Sequence, residues 1–311
     1  MRALVILAWL LALAAPAFAG QPPTVRPHVT VIPSSGTWTK PPGITWVRVW
    51  AYPGGTGGTV GFLCPVLQAC AGPGGAGGGS VGYWEGPASS LPATVPATVG
   101  AGGAGGSSGN PGGAYGGVSS FGIYAVGLPG GVGSLGFEDN TLSIPTMPGS
   151  GGGLPDEGWT TYQTIGTAAN YYAANAPGMY LGAAGATSLA AASGANGSSA
   201  MCGGPGAGSG GSQDGRGTIE VGGAGGSNME FTVVAPTNPA PSLNGTNATG
   251  RCMGGGGQGG SSGVGSTAAR AGGAGGFPGG AGGSGGDGTV GEQPAGNGGA
   301  GANGEILVET W

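Results

Sequence analysis

The chain has 311 residues, of which 82 are glycine, and only 6% of its residues are charged. Disordered chains usually carry many charges and few apolar side chains, whereas 38% of this chain is hydrophobic and seven residues are tryptophan. A plain flexible spacer is therefore excluded, and collagen is excluded because glycine keeps no single G-X-Y register. The formal net charge of −5, with Lys40 as the only lysine, argues against partners such as nucleic acid or anionic membranes.

Residues 1–19 predict a secretory signal peptide. Arg2 supplies the positive start, residues 3–15 form the apolar stretch, and Ala17-Phe18-Ala19 has the small-x-small form of a cleavage site. The apolar stretch is short for a transmembrane helix, and an uncleaved anchor or the first helix of a virion protein are the alternatives. The sequence therefore favours a secreted or cell-surface protein, with a virion as the alternative location.

Residues 20–35 form a Pro-rich arm that we expect to be extended and poorly ordered by itself. The strongest strand signal follows at Ile44–Tyr52, where β-branched and aromatic residues alternate between two faces. A Pro-Pro-Gly turn at Pro41–Gly43 precedes this strand, and Pro53-Gly54-Gly55 ends it.

Beyond Gly55 glycine dominates, and short strand-like pieces lie between the glycine runs. The motif GGAGG begins at Gly74, Gly102, Gly222, Gly272 and Gly279. The predicted strands are Ala93–Gly100, Phe121–Gly127, Gly217–Gly223, Met229–Pro236 and Gly304–Trp311. Because one clear strand opens the glycine-rich region and another closes it, we expect these two strands to pair within one domain, residues 36–311.

Phe137–Ala192 is predicted to be an insertion or large loop, because glycine thins out there and aromatic residues gather. The alanine-rich pieces within it favour short helices. Exposed Trp and Tyr on loops provide binding area with little loss of entropy. The candidate binding residues are Trp159, Tyr162, Tyr171, Tyr172 and Tyr180. A local core beneath the loop is the alternative interpretation.

The stretch GGAGGFPGGAGGSGGDG, Gly272–Gly288, repeats every three residues. This period matches an extended left-handed helix with three residues per turn and no internal hydrogen bonds. Two of its faces would carry only hydrogen, so neighbouring backbones could approach and bond to one another. Phe277-Pro278 breaks the phase and predicts a bend between two helices. Mobile Gly/Ser linkers are the alternative.

Four cysteines in an exported chain predict two disulfides. Three pairings are possible; we favour Cys64–Cys70 and Cys202–Cys252, since the first closes a short apolar loop. Free buried thiols are the alternative. We expect no metal site, because no CxxC occurs and His28 is the only histidine.

Gly36–Gly58, GTWTKPPGITWVRVWAYPGGTGG, resembles the opening of the glycine-rich domain of phage tail-fibre and tail-tip proteins. Val95–Gly122 is similar to the middle block of that domain, and the final glycine array with its last strand is similar to its end. Some adhesins of this kind pack polyglycine-II helices into a bundle and grip outer-membrane receptors with the loops between them. The resemblance implies that fold and loop-borne specificity here. The predicted signal peptide departs from this family, whose members assemble in the cytoplasm. Mycobacterial glycine-rich surface proteins also contain GGAGG arrays.

Catalytic motifs carry no weight in this sequence. The pattern G-x-S-x-G occurs at Ser80, Ser107, Ser261 and Ser284. With so much glycine it arises by chance, and a serine hydrolase needs a histidine partner. GGSGGDGTV fits a single calcium-binding repeat, yet such sites form between stacked repeats, so we expect Asp287 to be a solvated residue on a glycine helix. The acidic pairs Glu138-Asp139 and Asp156-Glu157 are expected to be solvated turns.

The sequence thus predicts a mainly β and irregular fold, in which short β-strands join a packed bundle of glycine-rich polyglycine-II-type left-handed helices. We expect a non-enzymatic adhesin or spike-like protein without cofactor, whose partner is a cell-surface receptor, protein or glycan. A purely structural component of a matrix, appendage or envelope is the alternative, with other structural subunits as partners. Ice binding by a flat glycine-helix face is a third hypothesis.

Overall fold

The computed structural model describes residues 26–138, 182–186, 192–213, 218–228, 230 and 242–311. In these residues the protein is mainly β and irregular, with one short 3-10 turn, Ala88–Ser90. The strands are β1 (His28–Ile32), β2 (Gly36–Thr39), β3 (Trp46–Tyr52), β4 (Leu63–Cys64), β5 (Cys70–Ala71), β6 (Gly82–Pro87), β7 (Thr94–Thr98), β8 (Ser119–Phe121), β9 (Ala125–Gly127), β10 (Phe137–Glu138), β11 (Gly288–Thr289) and β12 (Glu305–Thr310).

The first sheet has the order β1-β12-β3-β6, and all its neighbours are antiparallel. β3 and β12 pair from Val47↔Thr310 to Tyr52↔Glu305. The predicted strands at both ends of the glycine-rich region are therefore confirmed, and so is their pairing. β1 lies in the predicted Pro-rich arm; it is extended, as expected, but it belongs to the sheet because β12 offers it a free edge.

The second sheet has the order β2-β7-β8-β9, and its inner face packs against the first sheet. The core between the two sheets contains Trp38, Val47, Val49, Val95, Ala97, Phe121, Ile306 and Val308. The strand predicted at Ala93–Gly100 is confirmed as β7. Phe121–Gly127 is instead a hairpin, since Gly122 has a φ of +53° and turns the chain between β8 and β9.

Glycine-rich segments continue from the strands of both sheets without being strands themselves. Segment 53–62 follows β3 directly, and segment 295–304 leads into β12. Their backbone hydrogen bonds recur every three residues. Toward segment 111–117 the donor and acceptor pairs are Gly54–Gly117, Gly57–Ala114 and Val60–Pro111. Toward segment 295–304 they are Gly55–Ala302, Gly58–Gly299 and Gly61–Gly296. Successive residues therefore donate hydrogen bonds to different neighbouring segments. We call this set of parallel and antiparallel glycine-rich segments, held together by backbone hydrogen bonds, the array.

The array leaves no room for side chains at its contacts. A Cβ placed on Gly58 would lie 2.1 Å from the carbonyl oxygen of Gly283 in the neighbouring segment. Glycine is therefore the residue that permits this spacing. Thr218–Gly223, which overlaps a predicted strand, also lies in the array, whereas most of Met229–Pro236 lies outside the described residues.

The chain reverses at Phe277-Pro278, which confirms the predicted bend. Gly283 N–H donates to the Gly273 carbonyl at 2.8 Å, and Gly286 N–H donates to the Arg270 carbonyl at 3.0 Å. The two halves of the GGx stretch are thus antiparallel neighbours in the array. Every residue from 278 to 289 is buried, which is incompatible with a mobile linker at this place.

Asparagine side chains occupy the exposed borders of the array. Asn244 Oδ1 accepts the Ala274 N–H at 2.9 Å, and Asn247 Oδ1 accepts the Phe277 N–H at 2.8 Å. Asn303 and Asn196 act in the same way on Gly102 and Ala224. Each amide oxygen therefore satisfies a backbone donor that has reached the edge of the array.

Both predicted disulfides are confirmed. Cys64–Cys70 closes the loop between β4 and β5, and Cys202–Cys252 packs beside Trp50 and Tyr52 where the array meets the first sheet. Two disulfides are typical of an extracellular or otherwise oxidising environment. No helix in the described ranges has the length and apolar character to cross a bilayer.

Candidate functional site

The aromatic residues predicted to bind a receptor, Trp159, Tyr162, Tyr171, Tyr172 and Tyr180, lie outside the described residues. The structure does show where their segment begins. β10 ends at Glu138 and pairs with β5, so the chain enters the predicted insertion beside the Cys64–Cys70 disulfide. The short helices predicted in the insertion also lie largely outside the described ranges.

The array ends in a set of loops at the side away from both sheets, and we call this end the tip. The tip consists of loops 63–70, 107–110, 264–267 and 289–293. Hydrogen bonds place these loops next to one another: Gly61 N–H donates to Gly296, Val60 N–H donates to Pro111, and Gly263 N–H donates to Asp287. Both described ends of the chain lie in β1 and β12, at the opposite side of the molecule.

Loop 63–70 exposes aliphatic side chains at the tip. Leu63 is 49% exposed, Val66 is 54% exposed and Leu67 is 84% exposed. Leu67 also has a φ of +66°, which non-glycine residues rarely adopt. A strained backbone that holds a leucine in solvent is unusual for a loop whose only task is to connect two segments.

Two further exposed aliphatic side chains lie on segments next to this loop. Val290 is 49% exposed and its N–H donates to the Cys64 carbonyl at 2.9 Å. Leu135 is 45% exposed and precedes Gly136, whose Cβ position would lie 2.7 Å from the Cβ of Phe62. We call the five exposed side chains of Leu63, Val66, Leu67, Leu135 and Val290 the apolar tip patch.

A short ladder and a disulfide fix the patch on the array. β4 pairs in parallel with β11, which brings Leu63 beside Gly288 and Cys64 beside Thr289. On the other side of the loop, Cys70 N–H donates to the Gln213 carbonyl at 3.0 Å. The Cys64–Cys70 bond joins these two anchored ends, so the loop between them has a defined position.

Asp287 lies directly below the tip, and its predicted solvation is wrong. Its side chain has no exposed surface, because the segments around 62, 211 and 263 surround it. Oδ1 accepts the Phe62 N–H at 2.8 Å, whereas Oδ2 has no hydrogen-bond partner. Burial raises the pKa of Asp287 well above its usual range, because it disfavours the charged form. The sequence missed this because burial depends on segments distant in the chain.

A polar surface lies on the outer face of the first sheet, in addition to the apolar tip patch. Glu85 accepts hydrogen bonds from Arg48, from the Tyr83 hydroxyl and from Trp46 Nε1 at 3.1 Å. The Arg48 bond, with help from Tyr83, lowers the pKa of Glu85 to about 2. Arg48 also stacks on Trp311, with 5.3 Å between its guanidinium carbon and the ring centre. The polar groups of this face are hydrogen-bonded to one another, so their arrangement is explained by the structure of the sheet.

The described residues do not assemble a catalytic or metal-binding group from the sequence motifs. His28 lies in β1, whereas Ser284 lies inside the array. The Ser284 hydroxyl donates to the Gly74 carbonyl at 2.6 Å. Cys202, Glu230 and Cys252 offer ligand atoms within 4.8 Å of one another. However, the two cysteines are bonded to each other, so neither provides the thiolate that a metal requires.

A comparison with models of known protein families gives no match, and a comparison with curated proteins gives none either. The tip therefore has to be interpreted from its own chemistry. Sequence reasoning missed the apolar tip patch, although FLCPVLQAC carried a signal: two cysteines six positions apart enclose aliphatic residues without any charge.

Proposed function

We propose that the glycine-rich segments are left-handed helices of polyglycine-II type, packed side by side as a bundle. The three-residue recurrence of their hydrogen bonds supports this assignment, because such a helix has three residues per turn. Its φ is negative, near −75°. Among the described glycines, positive φ is confined to residues in turns: Gly43, Gly122, Gly265, Gly279 and Gly291.

Hydrogen exchange tests this assignment. The backbone amides of Gly279–Gly288 should exchange slowly, since they are buried and donate to neighbouring segments. Gly265 and Ser266, in an exposed loop of the tip, serve as the internal comparison and should exchange much faster. Exchange across Gly279–Gly288 at random-coil rates would show that the array does not persist in solution.

We further propose that the protein is a non-enzymatic surface-binding protein, adhesin-like or spike-like, which presents its tip to a target cell. The observation that carries this proposal is the placement of exposed aliphatic side chains on a disulfide-closed loop, at the end of the array away from both sheets. Large exposed apolar patches mark interaction sites in soluble proteins. The resemblance of Gly36–Gly58 to phage tail-fibre proteins supports the same role.

Function in this proposal lies in the loops, and the bundle is their support. Backbone bonds hold the array, so the side chains of the loops are free to vary without loss of the scaffold. The predicted insertion with its aromatic residues leaves the described chain at β10, beside loop 63–70.

Cell binding tests the proposal. A variant with Trp159, Tyr162, Tyr171, Tyr172 and Tyr180 all changed to alanine should lose at least tenfold in affinity for target cells, measured by flow cytometry of labelled protein. Its melting temperature should stay unchanged. Tyr115→Ala, on an exposed tyrosine of the array flank, is the matched control and should bind normally.

A purely structural role is the remaining candidate and gives a different result. A matrix or envelope component would bind no cell yet assemble with copies of itself as concentration rises. Sedimentation velocity of the mature protein therefore separates the two functions, since an adhesin of the proposed kind binds cells at concentrations where it does not form polymers.

A further inference from the structure

We propose that the apolar tip patch inserts into the interface of a lipid bilayer. This inference rests on the proposed surface-binding function, because it names the chemistry of the partner that the tip meets. The patch would lie at the boundary between headgroups and acyl chains, with the array standing away from the membrane.

The composition of the patch favours lipid over protein as the partner. Its five members are leucine and valine, and none is aromatic, methionine or arginine. Protein interfaces are enriched in those three classes at their energetic centres. Aliphatic side chains gain mainly from leaving water, which an acyl-chain environment provides without requiring a shaped pocket.

At the base of loop 63–70, several backbone groups already have hydrogen-bond partners inside the protein. Gln68 N–H donates to the Pro65 carbonyl at 3.2 Å, and the Cys64 carbonyl accepts the Val290 N–H. The Phe62 carbonyl accepts the Gly288 N–H at 2.8 Å. Internal partners of this kind reduce the unfavourable free energy of moving a loop into lipid.

Charge sets the kind of membrane. The stretch from Phe62 to Gly72 contains no charged residue, the exposed Glu292 beside Val290 is acidic, and the whole chain has a net charge of −5. Attraction to anionic headgroups therefore cannot drive binding. Insertion through apolar burial alone predicts binding to zwitterionic vesicles and no loss of binding at high salt.

The disulfide makes insertion favourable for a small patch. Because Cys64–Cys70 holds the loop in place, Val66 and Leu67 are already ordered in water, and less conformational entropy is lost on binding. Cleavage of this bond should weaken lipid binding even if the array remains folded.

The experiment is co-flotation of the mature protein with phosphatidylcholine vesicles at low and at high salt. We expect the protein to float with the vesicles in both buffers. Leu67→Asn should reduce the apparent partition coefficient by about tenfold, since one buried leucine contributes that much to apolar transfer. Asparagine tolerates positive φ better than leucine does, so this variant should fold normally. Ile123→Asn, at a residue that is 91% exposed in the turn between β8 and β9, is the matched control and should float like wild type.

Each outcome separates the two proposals. Failure to float while wild-type protein still binds cells would overturn lipid insertion and leave the surface-binding function standing. Failure of both assays would overturn both. If sedimentation shows a dimer that Leu67→Asn abolishes, and no flotation occurs, then a second copy of the chain covers the patch and the lipid proposal is wrong.

Discussion

Asp287 places a carboxyl group inside the array, among backbone groups of neighbouring segments and next to the Gln213 side chain. One oxygen is bonded to the Phe62 N–H, and the other has no partner. The folded protein therefore retains the proton on this acid, whereas the unfolded chain releases it near the usual pKa of 3.8. Because the unfolded state ionises more readily, stability should fall as pH rises above about 3.8 until the folded pKa is reached.

Asp287→Asn tests this linkage. The amide keeps the acceptor for Phe62 and cannot ionise, so the variant should be more stable than wild type at pH 7 and nearly equal to it at pH 3. Each unit of raised pKa corresponds to about 1.4 kcal/mol at neutral pH. Urea unfolding at both pH values measures the difference. Glu292→Gln, at an exposed residue, serves as control, and an equal gain in that variant would contradict the assignment to Asp287.

At the scale of the element, a glycine-rich segment places different requirements on its sequence from those of an α-helix or a β-strand. A strand such as β3 needs alternating side chains that fill a core, which is why its position could be predicted from Ile44–Tyr52. An array segment needs close approach to its neighbours, and most of its hydrogen bonds join backbone groups. A side chain at the wrong position of the triplet would meet a neighbouring carbonyl.

The variants Gly58→Ala and Gly112→Ala compare a position where a side chain would meet a neighbouring carbonyl with a position where it would not. The new methyl at 58 would lie 2.1 Å from the Gly283 carbonyl oxygen, whereas at 112 no atom lies within 4 Å. Gly58→Ala should destabilise the protein by about 1–3 kcal/mol, since the segments must move apart. Gly112→Ala should be neutral or stabilising by up to about 1 kcal/mol, because it restricts the unfolded chain. Equal thermal melting of the two variants would refute close packing at Gly58.

The elements predicted correctly share a local signal, and those predicted wrongly depend on distant residues. β3, β7 and β12 carry alternating patterns, and the period of Gly272–Gly288 indicated order. Burial of Asp287 arises from segments 62 and 211, which no local pattern connects to it. The tip patch is similar: its five residues come from three separate segments of the chain, loop 63–70, loop 289–293 and the segment before β10.

At the scale of the whole molecule, one disulfide lies at each end of the array. Cys202–Cys252 joins residues 50 positions apart next to the first sheet, whereas Cys64–Cys70 joins residues 6 positions apart at the tip. The longer loop restricts the unfolded chain more strongly. The two bonds therefore have different tasks: one stabilises the fold, and the other positions a loop.

Pairwise replacement by alanine should show this division. Removing Cys202 and Cys252 should lower the free energy of unfolding by about 4 kcal/mol, and removing Cys64 and Cys70 by about 2 kcal/mol, on the loop-entropy model. Only the second variant should lose binding at the tip while it remains folded. Chemical denaturation and flow cytometry measure the two effects, and a larger loss of stability in the tip variant would contradict the model.

The asparagine borders have a consequence for growth of the array. An array joined by backbone hydrogen bonds can add segments at its edge. A further glycine segment, from the same chain or another, could bond to any N–H group left free there. At Asn196, Asn244, Asn247 and Asn303 the rim donors are already bonded to amide side chains. Because these edge amides are already bonded, another glycine segment cannot pair with them. The asparagines therefore limit lateral growth of the array beyond one molecule.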